Sequence, residues 1–430
     1  MANITLMGAS YTDVPAVTLP QTGGGTVTFY ENGGGVTAAA EKLVNFVDYD
    51  GTILYSYDAT EFSSLTTLPA NPSHNGLTAQ GWNWTLSDIA SQIAAMPKAP
   101  VWVGQHYVTT SGATEIDITL DNHNKLSPYL VMGVTGSVTV DWGDGTTQTT
   151  VSDTSEWTAL KYTQHVYSAV GKYTISITPV NNSTFRFRES SSAAGSILSN
   201  VSGIATNVYY SSCVTAIRFG PVARVAGNAF RHLHSLETIT YPSTFNDITI
   251  GQTFIHCRSL RCIVVPSGAT SICTSFAASC YSLKRICLPY SLTTLNGESL
   301  ASLSTINSVT IPKNVTSISS YGIWGCSTAR TVYLPNGITS IPSNCFYNGT
   351  GLLTLTIPAS VTSISASAFS GCNNMAEYHF LSSTPPTLAN ANAFSGIPSG
   401  CVIYVPGASL STYKSASIWA DFASYIQAEP

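Results

Sequence analysis

Charge is what this chain of 430 residues has least of: 17 Lys and Arg and 22 Asp and Glu make up only 9% of it. About a quarter is usual for a soluble protein. A net charge of -5 without a polybasic stretch makes nucleic acid and anionic membrane poor partners. No apolar run reaches the roughly 18 residues of a membrane span, so no membrane insertion is expected. Met1–Thr5 lack the basic start and apolar core of a signal peptide, so synthesis in a cytoplasm is expected. Catalytic patterns are missing as well. There is no G-x-S-x-G elbow and no H-E-x-x-H, and the eight histidines are scattered. The repeats described below hold few carboxylates (Glu237, Asp247, Glu298, Glu377), whereas glycan hydrolysis needs a facing pair. A non-enzymatic protein without a cofactor is the expectation. Disorder is excluded by a hydrophobic content of 44% at such low charge.

What is present is a period. Pro266, Pro289, Pro312, Pro335 and Pro358 stand 23 residues apart, and Pro242 precedes Pro266 by 24. Each follows a short alternating segment whose apolar pairs align: Ile263 and Val265, Ile286 and Leu288, Val309 and Ile311, Val332 and Leu334, Leu355 and Ile357. Alternation at period two predicts strands. A second apolar pair recurs at Leu292/Leu295, Val315/Ile318, Ile338/Ile341 and Val361/Ile364, and a third point at Phe254, Phe276, Leu300, Ile323, Phe346 and Phe369. The pattern predicts a solenoid whose coils have three inward walls and need neighbours to bury them. About eight coils at strand spacing would make a rod of roughly 40 Å. The prolines, lacking an N–H, are expected just past each strand, where the chain turns away. Cys257, Cys280, Cys326 and Cys372 fall on the same ruler. Metal and disulfide ladders are the sharper readings, but reduced, buried thiols acting as small hydrophobes are preferred.

The stretch 213–406 resembles the bacterial surface-protein type of leucine-rich repeat: a strand ending in proline, then a turn with Ala-Phe, a cysteine and a leucine. The pattern is carried by Ala229-Phe230, by Phe276 with Cys280 and Leu283, and by Ala368-Phe369 with Cys372. The resemblance implies adhesion of some kind rather than chemistry. Residues 407–430, with Tyr413, Ile418, Trp419 and Tyr425 after the strand Ile403–Val405, resemble the C-terminal cap of such arrays.

Ahead of the repeats the chain reads as mainly β and multidomain. Residues 1–35 hold short strand-like segments around Gly23-Gly24-Gly25, which lack the lysine and helix of a phosphate loop. They resemble the leader of tail-associated structural proteins of phages and prophages of Gram-positive gut bacteria. That resemblance implies particle docking through Ile4, Leu6, Val14, Val17 and Leu19. Residues 36–111 predict a small α+β module, with a hairpin around Asp50-Gly51 and a helix from Leu86 capped by Thr85 or Ser87. Trp82 and Trp84 offer a sugar-stacking platform or, preferred, packing within the module. Residues 112–183, with Trp142-Gly143-Asp144-Gly145 and Gly171-Lys172-Tyr173, resemble a polycystic-kidney-disease (PKD) type domain, which implies an immunoglobulin-like β-sandwich. Asp141 and Asp144 could serve calcium, but turn capping is preferred. Residues 184–212 read as a linker, with Arg186, Arg188 and Arg218 expected to cap the open end of the array. His232, His234 and His256 gather near a column cysteine, where packing or a surface role is preferred to a metal site.

Together these readings predict a virion structural protein: a tail fibre or tail-tip adhesin, made in the host cytoplasm. It would contact other virion proteins (tail or capsid) through its N-terminus and a host surface glycan or protein through its repeats. The residues expected to make that contact are Tyr241, Tyr290, Lys313, Asn314, Tyr321, Tyr333 and Asn336. A homo-oligomer is expected from the fibre class. The alternatives are a capsid decoration or head-fibre protein and a bacterial cell-surface adhesin.

Overall fold

The computed structural model describes residues 42–121, 126–152, 161–187, 213–225, 227, 229–245 and 251–430, with the backbone of four short strands ahead of them. These four pair as two antiparallel hairpins, β1 (Ile4–Leu6) with β2 (Ala9–Tyr11) and β3 (Ala16–Pro20) with β4 (Thr26–Tyr30). Ile4, Leu6, Val17 and Leu19 lie in these strands; their side chains, and Val14 altogether, lie outside the described residues.

The module runs β5 (Val44–Val47), β6 (Ile53–Tyr57), α1 (Ala59–Ser63), β7 (Leu77–Trp82), α2 (Leu86–Ala95) and β8 (Val101–Thr109). Its four-stranded sheet has the order β6-β5-β8-β7, with β5 and β8 parallel. The hairpin turns at Gly51, whose φ of +89° suits glycine. Thr85 caps α2 through the Asp88 N–H, and Asp88 answers to the Thr85 N–H. Val44, Phe46, Val101 and Val103 pack beneath the helices with Phe62, Trp84 and Ile89.

The next strands are β9 (Thr114–Leu120), β10 (Tyr129–Asp141), β11 (Thr147–Ser152), β12 (Lys161–Gln164), β13 (Gly171–Phe187), β14 (Val214–Arg218), β15 (Ala223–Val225) and β16 (Thr238–Thr240). They are joined in one hydrogen-bonded sheet of order β11-β10-β13-β9-β14-β16, with β12 on β10 and β15 on β13. Residues 184–187, read as linker from the sequence, are the end of β13. Asp141 and Asp144 cap their turn, accepting from the Gly143 and Thr146 N–H groups at 2.8 and 3.1 Å. Trp142 is buried and its carbonyl accepts from the Tyr167 hydroxyl.

From β14 onward the chain is a solenoid. Each coil has a first strand, such as Arg285–Cys287, Thr331–Tyr333 or Glu377–Phe380, and a shorter second strand, such as Thr294–Leu295 or Ser340–Ile341. Neighbouring coils pair in parallel, 23 residues out of step in the regular coils: Ile263 lies beside Ile286, Leu295 beside Ile318. The prolines stand where expected, past the first strand, and their carbonyls open the turn: Leu292 N–H donates to Pro289 and Val315 N–H to Pro312, at 3.2 and 3.0 Å. The third wall is also a ladder. Tyr321, Ile323 and Gly325 donate their N–H groups to Ser343, Cys345 and Tyr347 of the next coil. This alternation is set by two left-handed residues per coil, four apart: Ser275/Ser279, Glu298/Ser302, Tyr321/Gly325, Asn344/Asn348 and Ser367/Gly371. One uninterrupted core runs from Ile116 to Ile426 and contains the predicted apolar columns. Each fully buried Leu, Ile or Phe in it is worth about 1.5–3 kcal/mol.

Both ends of this core are closed by β-pairing. At the front β9 pairs antiparallel with β14, the first strand of the array, and Ile116 and Ile118 join the core. Arg218 of β14 reaches across to Glu115 and to both oxygens of Asp117. Burial raises the Asp117 carboxyl, and the Arg218 guanidinium outweighs this and holds it below its ordinary value. Arg186 is buried in β13; Arg188 lies outside the described residues. At the back Ile426–Ala428 pairs with Val402–Val405, and α3 (Leu410–Ser415) with Trp419 and Phe422 covers the last coil. The Trp419 indole donates to the Pro386 carbonyl at 2.7 Å.

The module is seated on the first-strand wall of the array. Gly104 of β8 lies so close to Val264 that a Cβ would meet its methyl at 2.5 Å. Val47, Ile53 and Trp102 pack on Cys262, Val264 and Cys287, with the Arg285 guanidinium 4.3 Å from the Trp102 ring centroid. Buried Asn83 spends its whole amide here. Its NH2 donates to the carbonyls of Val265 and Cys287, at 3.0 and 3.1 Å, and its oxygen accepts from the Gly104 N–H at 2.9 Å. Only this orientation of the amide fits one donor and two acceptors. The Trp84 indole donates to the Leu288 carbonyl, so this tryptophan packs the module onto the array.

Nine of the ten cysteines are buried, and Cys273 is half-buried. The column thiols donate weakly to the carbonyl of the preceding coil: Cys257 to Phe230, Cys280 to Phe254 and Cys372 to Phe346, at 3.0, 3.1 and 3.2 Å. Burial pushes Cys280, Cys326 and Cys372 up to about 12. Ellman's reagent at pH 8 is therefore expected to leave the buried thiols of the folded protein unmodified and to titrate ten in guanidinium. Rapid reaction of the column cysteines in the native state would contradict the packing. Asn83→Ala removes three buried hydrogen bonds, the Cys287 carbonyl keeping only the one from the Val265 N–H, and is expected to cost about 3 kcal/mol. The denaturant midpoint reads this, and hydrogen exchange should rise first at residues 262–265.

Candidate binding surface of the repeat array

Outward residues of the first-strand wall alternate with the buried ones, and the module divides this wall in two. Over the early coils the wall is covered. Tyr241 is only 2% exposed, and its hydroxyl donates to the Val264 carbonyl. Burial pushes this phenol far above its ordinary value. Tyr290 lies edge-on to Trp84, with ring centroids 5.4 Å apart, and its hydroxyl meets Ser91 at 3.1 Å. Lys313 places its ammonium 5.4 Å from the Tyr290 ring centroid, while its N–H donates to Gln92 at 2.8 Å. The Asn314 amide donates to the Tyr290 carbonyl. The expectation that Tyr241, Tyr290, Lys313 and Asn314 face a partner is corrected for Tyr241, which is core. The other three, in the turns after Pro289 and Pro312, are engaged within the chain: Tyr290 and Lys313 with the module, Asn314 with Tyr290.

Among the described residues, hydrogen bonds from the module reach as far as Lys313. Beyond it the first-strand wall presents Thr331, Tyr333, Thr354, Thr356, Glu377, His379, Val402 and Tyr404, all half-buried or exposed. Tyr333 is half-buried in this row, and Asn336, in the turn after Pro335, is exposed. His379 and Tyr404, absent from the sequence-based set, stack with ring centroids 5.0 Å apart. The two His379 nitrogens face Glu429 at 2.9 Å and Glu377 at 3.2 Å. The signal for His379 was available: it stands 23 residues after Thr356 and 46 after Tyr333.

The turn wall carries the exposed aromatics. Tyr281 and Tyr321 are 44% and 40% exposed. Tyr321 holds a φ of +60°, unusual for a bulky side chain, and lies edge-on to Trp324 at 6.5 Å. The remaining surface is largely hydroxyl and amide, and many of these groups are laddered onto the preceding coil. Thr305 donates to Leu283, Thr328 to Ile306 and Asn296 to Ile272, at 2.6, 3.1 and 2.7 Å. Among the described residues no three His, Cys, Asp or Glu side chains are placed to hold a metal ion, and no helix is long and apolar enough to cross a membrane. What this surface offers is ring stacking and neutral hydrogen bonding.

Residues 202–330 and 302–399 match the family described as the BspA type leucine rich repeat region, in six copies. No curated protein matches the chain. Among solved structures, a leucine-rich repeat protein from Bacteroides ovatus ATCC 8483 is 19% identical over 45% of this chain and 50% of its own, with a TM-score of 0.31. One from Eubacterium ventriosum ATCC 27560 is 15% identical over 44% and 60%, with a TM-score of 0.31. A leucine rich cell surface protein from Faecalibacterium prausnitzii A2-165 is 15% identical over 51% and 89%, with a TM-score of 0.21. The chain thus spans half the length of the first of these and 60% of the second. The stretch that carries the parallel ladders, proline turns and cysteine column is thus similar, within residues 202–399, to the BspA-type leucine-rich repeat.

Proposed function

We propose that this is a non-enzymatic adhesive protein whose repeat array makes the contact with a foreign surface. The observation that carries the reading is the division of the first-strand wall. Its early coils are covered by the module, while Tyr333, Thr356, His379 and Tyr404 stay accessible on successive coils that share one core. Aromatic rings among neutral hydroxyls and amides suit a glycan or protein partner through stacking and hydrogen bonding.

The finer reading is a virion protein of the tail-fibre or tail-tip class. It rests on the resemblance of residues 1–35 to tail-associated leaders, which makes the N-terminal hairpins the particle dock. The sheet that carries Trp142-Gly143-Asp144-Gly145 and Gly171-Lys172-Tyr173, the PKD-like signature, would then be the spacer. A homo-oligomer on the particle belongs to the same reading. Gold-labelled antibody against the chain, viewed on purified particles, distinguishes a tail from a capsid position, and label on bacterial envelopes alone would favour a cell-surface adhesin.

Adhesion is tested with the full chain on whole cells. Tyr333→Ser with Tyr404→Ser is expected to lower retention about tenfold, the equivalent of 1.4 kcal/mol, with an unchanged melting temperature. Retention equal to wild type would remove this wall from the contact.

A further inference from the structure

The first two coils carry a second patch, on the rim of the turn wall. Arg231, His232 and His234 come from one coil and His256 and Arg258 from the next. His232 and His256 occupy the left-handed column, with φ of +64° and +61°, and their rings stack with centroids 4.8 Å apart. His234 lies edge-on to His232 at 5.8 Å. The Arg231 guanidinium donates to the His232 ring at 3.0 Å, and Arg258 lies 6.0 Å from the ring centroid of Tyr281, one coil further on. His256 Nδ1 is buried without a hydrogen-bond partner.

The sign of this cluster sets it apart. In a chain with 17 basic residues and a net charge of -5, two arginines and three histidines converge here. The groups acting on His232 are, beside burial, His256, Arg231, His234 and Arg258; on His234 they are Arg258 and His256; on His256 they are Arg258 and Arg231. Among the described residues none of these is a carboxylate. Burial first, then these like charges, hold all three rings below their ordinary value, His232 at about 4. The three imidazoles are thus neutral at pH 7, and the two guanidiniums supply the charge.

We propose that this rim is an oxyanion-binding site for the carboxylate or phosphate groups of an anionic surface glycan, held by Arg231 and Arg258 with His232, His234 and His256 around it. The planar guanidiniums match a two-oxygen anion, and Tyr281 extends the patch for a sugar ring. A bound anion supplies the missing negative charge and draws the imidazoles upward, so binding takes up protons and strengthens as pH falls. The inference deepens the adhesive reading and rests on it for the surface origin of the ligand.

The test uses the immobilised full-length protein with three probes: oligogalacturonate for carboxylate, polyphosphate for phosphate, and neutral dextran. Binding of one or both anions, about tenfold tighter at pH 5.5 than at pH 7.5 and weakened by salt, is expected. The probe preferred tells which oxyanion the site takes. Arg258→Gln and Arg231→Gln should each weaken binding about tenfold while leaving the melting temperature unchanged. His256→Gln should flatten the pH dependence. The proposal is overturned if neither anion is retained above dextran, or if both arginine variants bind like wild type. Cell retention without anion binding would leave adhesion standing and sink the patch; anion binding by a protein that no cell retains would do the reverse.

Discussion

Everything in this molecule depends on the hydrogen-bonded stacking of coils that cannot stand alone. A single coil offers three apolar walls and a ring of unpaired peptide groups. Only a neighbour can bury the first and satisfy the second. The three ladders do both at once. Ile263 beside Ile286 and Leu295 beside Ile318 are paired through backbone and side chain alike, and the turn wall repeats this through Tyr321, Ile323 and Gly325. The left-handed residues are the cost of that third ladder, of the order of 1 kcal/mol or more each for a residue that is not glycine. They persist because most of them, such as Ser275, Ser279, Ser302 and Asn348, donate their N–H to the next coil. The hydroxyl and amide ladders explain why the chain needs so little charge: its surface groups find acceptors one coil away.

A stack has two ends, and each exposes an apolar disc and an unpaired strand edge. The back is closed by Ile426–Ala428 and Trp419. At the front no separate cap is needed, because β9 turns the array's first strand into an inner strand of a larger sheet. The Arg218 fork onto Glu115 and Asp117 fixes this junction, and Asn83 ties the module to two successive coils. Residues 36–111 and 112–183, described from the sequence as units ahead of a linker, are hydrogen-bonded to the array through Asn83, Trp84 and β9.

What was legible in the sequence is what repeats. Proline at every twenty-third residue, the paired apolar columns and the cysteine column located the coils and their inward faces, and Thr85 and Asp50-Gly51 located the helix start and hairpin of the module. The left-handed column was hidden, because serine, glutamate, tyrosine and asparagine fill it more often than glycine does. The outward face of the array was misjudged at Tyr290, Lys313 and Asn314 for a different reason. A turn after a proline leads away from its own coil, but the sequence does not report whether another part of the chain lies over it. Tyr241 failed on another ground: one residue before Pro242, it stands in the inward column with Val265 and Leu288 and belongs to the core. Asn83 carried no periodic mark at all; its importance comes from three backbone partners brought together by folding.

The covered half of the wall bears on the open half. Where β8 lies, the wall is specialised to receive it: Val264 fits the missing side chain of Gly104, and Arg285 lies over Trp102. The coils that follow keep the same backbone and the same pitch but replace these groups with Thr331, Tyr333, Thr354 and Thr356. Identical scaffolding with different outward residues means that the core does not dictate those residues, since the inward columns are unchanged across the division. The outward rows are therefore free to answer to what they touch. In the early coils that is the module; in the later ones it is solvent, or whatever the array meets. The same reasoning applies on the turn wall, where one column reads His232, His256, Ser279 and Ser302 over four coils at constant backbone geometry. Cations gather in the first two of these coils and then stop, a change that inter-coil packing does not require.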